Sequence, residues 1–115
     1  MTLVAGLSMA IAASIADAAR KPTVKERKEL AAVINVPPKC TKSRVSTVSP
    51  KPKWASVKFK PAGASCEPFA SDGVTISKKR EGVWRMVTAG SDFECAALYT
   101  QVPQAVVQDL GISCR

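Results

Sequence analysis

The stretch from Gly73 to Cys95, GVTISKKREGVWRMVTAGSDFEC, constrains the fold more than any other part of the chain. Val74 and Ile76 begin one β-prone run, and Val83, Trp84, Met86 and Val87 form a second. Lys78-Lys79-Arg80-Glu81-Gly82 separates them. A polar spacer of this length ending in glycine predicts a hairpin, with Gly82 at a positive φ that lets the second strand start in register. Trp84 is one of two tryptophans, and Cys95 ties the far end of the hairpin to another part of the chain.

The cysteines must be read with the segment that precedes them. Thr2 to Ala16 is uncharged and built of Ala, Ile, Leu, Val, Met, Gly, Thr and Ser, and it is followed by Ala16-Asp17-Ala18. An apolar run ending in small residues predicts a secretory signal peptide over residues 1–18, cleaved near Ala18. The rival is an uncleaved anchor, although the run is shorter than the roughly 20 apolar residues of a membrane span. We expect no transmembrane span in the mature chain and a secreted or cell-envelope location. Residues 19–115 then form a single domain, an appropriate size for one modest core.

Cys40, Cys66, Cys95 and Cys114 all lie in that part, and an even count in a small exported chain predicts two disulfides. Four zinc thiolates are the alternative, but no cysteine pair has the close spacing of a zinc site and the chain has no histidine. Of the three connectivities, Cys40–Cys66 with Cys95–Cys114 is favoured. Each bridge would close a loop of roughly 20 to 27 residues and contribute about 3 kcal/mol through the unfolded state.

Local signals supply the remaining elements. Thr23 and Glu26 fit a capping box that starts a helix of about eleven residues. Val24, Leu30, Ala31 and Ile34 share its apolar face, and Asn35 with Pro37-Pro38 ends it. Arg44 to Val48 reads as a short strand and Ser49 to Lys53 as a turn. Trp54 to Lys60 alternates, with Ala55, Val57 and Phe59 on one side and Ser56, Lys58 and Lys60 on the other. Trp54 falls in the polar set, at an edge or partly exposed. If these two runs pair, Cys40 and Cys66 lie beyond the same open end, which is the reason for joining them. Residues 61–72 read as a loop. Pro103 opens a last helix that Gly111 ends, with Ile112 able to touch Val107 across the stop, and Cys114 then returns toward Cys95. The fold class expected is α+β: one antiparallel four-stranded sheet with an N-terminal and a short C-terminal helix, and two disulfides.

The segments RVSTVSPKPKWASVKF, DGV followed by GVWRMVTAGSDFEC, and VPQAVVQDLGISC together resemble a family of small exported actinobacterial proteins of unknown function. The resemblance covers about residues 40–114 and rests on structural motifs. It implies no catalytic or binding residue, and it favours pairing the last two cysteines.

Catalysis is not expected. The absence of histidine removes the commonest general base and zinc ligand. Glu67, Asp72, Glu81, Asp92 and Glu94 are better explained as cap, turn and surface residues than as a carboxylate pair in a groove. There is no C-x-x-C motif and no glycine-rich phosphate loop, so no cofactor is expected either.

Charge is the feature that points outward. Residues 20–60 carry twelve Lys/Arg against two acids, and residues 61–115 five against six. This split predicts an anionic partner for the first half: a cell-envelope polymer, a lipid surface or an acidic protein. A merely solvating, lysine-rich surface is the competing reading. Lys51, Lys53, Trp54, Lys58 and Lys60 form the candidate binding face, a basic-plus-aromatic pattern of the kind that grips phosphate chains. Nucleic acid is disfavoured, because an exported chain meets little of it. The alternative function is a secreted protease inhibitor offering Lys51, or Lys79-Arg80 at the hairpin tip, as a basic loop residue.

Overall fold

The computed structural model of the chain describes residues 19–49 and 51–115; the predicted signal peptide lies outside them. Helix α1 (Val24–Val33) leads into strands β1 (Thr41–Val45), β2 (Lys53–Phe59), β3 (Val74–Arg80) and β4 (Val83–Gly90). Short helices α2 (Cys95–Leu98) and α3 (Gln104–Asp109) follow. The strands form one antiparallel meander in the order β1-β2-β3-β4. Both expected disulfides are present, Cys40–Cys66 and Cys95–Cys114, with Cα separations of 5.4 and 5.0 Å.

Both faces of the sheet are covered, and this arrangement decides the fate of every strand residue. On one face, Val45, Ala55, Val57 and Trp84 pack against Leu30 of α1. On the other, Trp54 and Ile76 pack with Ala19, Leu98, Val102, Val106, Val107 and Ile112. Trp54 is therefore a core residue, only 4 % exposed, and not the partly exposed aromatic that its polar-set position suggested. The polar alternation of β2 marked a second buried face, which the C-terminal helices close from far along the sequence.

The helix ends are set locally. Thr23 and Glu26 form the reciprocal capping box, the Glu26 amide donating to Thr23 Oγ1 at 3.1 Å and the Thr23 amide to Glu26 Oε1 at 2.9 Å. Asn35 sits at φ 57°, and the Val36 and Asn35 amides donate back to the Ala31 and Ala32 carbonyls. Gly111, at φ 70°, closes α3 in the same way, its own amide donating to Gln108 and the Ile112 amide to Val107. Ile112 and Val107 share one core cluster.

Three expectations shift. β1 occupies Thr41–Val45 instead of Arg44–Val48: pairing with β2 begins just after Cys40, whose carbonyl accepts from the Lys60 amide at 2.7 Å, and beyond Val45 only the Ser46 amide still reaches β2, at the Trp54 carbonyl, 2.8 Å. The Ser46 hydroxyl and the Thr47 amide donate to Asp109 Oδ2 at 2.7 and 2.9 Å. Val24 is 73 % exposed, and Glu26, which precedes the helix's buried Leu30, is the inward-facing residue of the first turn. Lys78 to Arg80 belong to β3 and not to the turn. The hairpin turns on Glu81 and Gly82 alone, both at positive φ, 52° and 80°. Two left-handed residues match the right-handed twist of the strands they join. One bulge interrupts the pairing of β3 with β4: Ile76 faces Thr88 and Ser77 faces Met86, so Val87 is the extra residue.

Candidate anion-binding surface

The five residues of the predicted binding face do not meet. Lys51 is exposed before β2 and Lys53 begins that strand half-buried, whereas Lys58 and Lys60 are exposed at its other end. Five residues of extended chain put Lys53 about 16 Å from Lys58. The two also project to opposite faces, since they are five positions apart, an odd offset. Trp54, buried in the core, is available to no ligand.

The register assembles a different set at the hairpin-tip end of the sheet. Lys53 lies opposite Lys79, which lies opposite Trp84, so one row on the α1 face reads Lys-Lys-Trp. The neighbouring row, on the other face, reads Trp54, Lys78, Arg85. Each tryptophan carries a lysine over its ring: Lys78 Nζ is 5.1 Å from the centroid of Trp54, and Lys79 Nζ 5.8 Å from that of Trp84. At these distances the ring quadrupole attracts the cation. The two core tryptophans thereby hold two lysines against opposite faces of the sheet, next to Arg80 at the turn.

An open groove of about 670 Å³ runs between the β1–β2 connection and the hairpin tip, lined by Lys51, Pro52, Lys53, Lys78, Lys79, Arg80, Glu81 and Gly82. Its acids are few. Glu26 of α1 reaches Lys53 at 3.7 Å, but its main partner is Arg20, whose guanidinium grips both carboxylate oxygens at 2.8 and 2.9 Å. That hydrogen-bonded pairing, helped by the Thr23 amide and the nearby Lys53, lowers the Glu26 carboxyl to about 2. Among the described residues, no carboxylate lies within 4.0 Å of the Lys78, Lys79, Arg80 or Arg85 side-chain nitrogens.

The sequence pattern left Lys78, Lys79 and Arg85 out of the anionic binding face, and offered Lys79 only as an inhibitor's loop residue, because the first two fell in a solvated turn. The signal was the length of the turn: a two-residue Glu-Gly connection moves Lys78-Lys79-Arg80 into the ladder, opposite Arg85, Trp84 and Val83. Elsewhere, Asp92 pairs with Arg115 at 2.6 Å, which lowers the aspartate carboxyl, and no group of three or more His, Cys, Asp or Glu placed to hold a metal occurs among the described residues. No described helix is long and apolar enough to cross a membrane.

Comparison of the chain with protein-family models, with curated proteins and with solved structures found no match. The functional reading therefore rests on the geometry alone.

Proposed function

We propose that the domain is a non-enzymatic interaction module, secreted or held at the cell envelope, that binds an anionic surface through the hairpin-tip end of its sheet. The observation that carries this reading is the direct opposition of Lys53 with Lys79 and of Lys78 with Arg85. Like charges directly across a ladder are destabilising, and only Lys53 among them is paired with an acid. An anionic surface meeting the hairpin-tip end would relieve that repulsion within each row, one row on either face of the sheet. The residues are Lys51, Lys53, Lys78, Lys79, Arg80 and Arg85, and the partner is a phosphate-rich envelope polymer or an acidic lipid surface. The two disulfides are compatible with an exported location.

The inhibitor alternative gains no support from a specific feature. A substrate-like loop must be free to lie along a protease cleft; Lys79 and Arg80 are committed to the β3–β4 ladder, which leaves the exposed Lys51, before β2, as that reading's one residue outside the strands.

Co-sedimentation of the mature chain with phosphatidylglycerol vesicles tests the reading. Binding is expected at low salt and should fade toward physiological ionic strength, where the Debye length shortens to about 8 Å. Absence of binding at low salt would reduce the basic end to a solvating surface.

A further inference from the structure

A second set of cations lies at the other end of the sheet, on the face covered by the C-terminal helices. Lys42 of β1 is directly opposite Lys58 of β2, and Arg44 is opposite Ser56. These four residues, with Leu110 and Gly111 at the end of α3, line a pocket of about 160 Å³. That is several times the roughly 30 Å³ occupied by one water, enough for a tetrahedral oxyanion.

We propose that this pocket binds the phosphate group of a phosphate monoester. Three observations converge on it. Two lysines face each other across the ladder, an arrangement that costs stability when nothing sits between them. No carboxylate lies within 4.0 Å of Lys42, Arg44 or Lys58 among the described residues, and Asp109 of α3 directs one carboxylate oxygen to Ser46 and Thr47 instead. The Arg44 guanidinium is already oriented, because one of its N–H groups donates to the Ala19 carbonyl at 2.8 Å. A fixed planar fork suits two-point recognition of a phosphoryl group, and two flexible ammonium groups add charge around it. Ser56, 3 % exposed, is the buried polar residue of the lining. The organic part of the ligand has an exit: a neighbouring cleft of about 250 Å³ shares Lys58 and Gly111 with the pocket and includes Phe59 and Phe93. The proposal does not depend on the hairpin-tip reading, since the two sets of cations occupy opposite ends of the sheet.

The test is an amide-resolved NMR titration of the folded, oxidised protein with inorganic phosphate, at matched ionic strength against chloride. Saturable shifts are expected at Lys42, Arg44, Ser56, Lys58 and Gly111. Lys42→Ala and Lys58→Ala alter exposed side chains and should each weaken binding about tenfold, the loss expected for one charge-assisted contact, while a Lys79→Ala/Arg80→Ala variant keeps wild-type affinity. Two further arms separate the sources of the phosphate. Preferential binding of a soluble sugar phosphate identifies a free metabolite-like ligand, and preferential binding of phosphatidic acid vesicles that persists in the Lys79→Ala/Arg80→Ala variant and is weakened by Lys42→Ala identifies a lipid headgroup. Non-saturating shifts, shifts centred on the hairpin tip, or equal weakening by the Lys79/Arg80 variant would each overturn the assignment. Failure here would leave phosphatidylglycerol binding by the hairpin tip untouched, and the converse also holds.

Discussion

Trp54 and Trp84 show how far a single residue's environment can be read from its neighbours in sequence. Trp84 follows a turn signal in an apolar run, and its place in the core against Leu30, Val45, Ala55 and Val57 follows from that pattern. Trp54 has the opposite history: its strand alternates, and only the C-terminal helices, about fifty residues away, turn its face into an interior. Replacing Trp84 with alanine should cost about 3–5 kcal/mol in a denaturant titration, as expected for truncating a buried aromatic; a loss below about 1 kcal/mol would place the ring at the surface. Trp54→Ala should behave in the same way, and its effect on any ligand should track the loss of fold. Glu26 is the other telling residue. Its carboxyl is held by Arg20 and lowered to about 2, against an ordinary value of 4.5. A carboxyl depressed in the folded state contributes stability that is fully present above its unfolded value and is lost as pH falls through its folded value. Stability should therefore drop between about pH 4.5 and 2, and Glu26→Gln should flatten that part of a melting-temperature profile. An unchanged slope in the variant would show that the Arg20–Glu26 pair does not bear on folding.

Elements were legible where the signal is local and obscure where a distant partner edits it. The capping box and the left-handed Asn35 fix α1 at both ends, and Gly111 fixes the end of α3, all through groups within a few residues of one another. The end of β1 meets Arg20, which exchanges backbone hydrogen bonds with Val45 at 2.9 Å, and Asp109, which takes the Ser46 hydroxyl and the Thr47 amide. Neither partner lies near β1 in sequence. The hairpin was found but its turn was overestimated, since five polar residues suggest a loop whereas two left-handed residues suffice. That difference moved three cations from a loop onto the strands and changed which basic residues stand together. The candidate binding face suffered most, because grouping lysines by sequence distance ignores both the length of a strand and its alternation. Gly82→Ala puts a side chain at φ 80° in this turn. It should destabilise the hairpin by about 1 kcal/mol or somewhat more, read as a lower melting temperature, because a β-carbon disfavours that conformation. A neutral result would mean that the turn tolerates another geometry.

At the scale of the whole molecule, two bridges clamp regions that the sheet does not reach. Cys40–Cys66 joins the start of β1 to the β2–β3 connection, and Cys95–Cys114 draws the C-terminal residues back beside Phe93. Loops of 26 and 19 residues are long enough for each bridge to contribute about 3 kcal/mol through the unfolded state. A Cys95→Ser/Cys114→Ser variant should accordingly lose about 2–5 kcal/mol of unfolding free energy, and an unaltered denaturation midpoint would show that the C-terminal packing stands without it. The rigid frame that results presents basic residues at both ends of one sheet, with the two buried tryptophans beneath the lysines of the hairpin-tip end. The proposed binding to an anionic surface would depend on the hairpin-tip end as a unit. The most direct measurement is co-sedimentation of a Lys79→Glu/Arg80→Glu variant with phosphatidylglycerol vesicles at low salt, alongside its melting temperature. Loss of vesicle binding with only a small change in melting temperature is the predicted result, because the Lys79–Trp84 contact is worth about 0.5–1 kcal/mol and the new carboxylate at position 79 faces Lys53 across the ladder. Retention of wild-type binding by a folded variant would contradict the account.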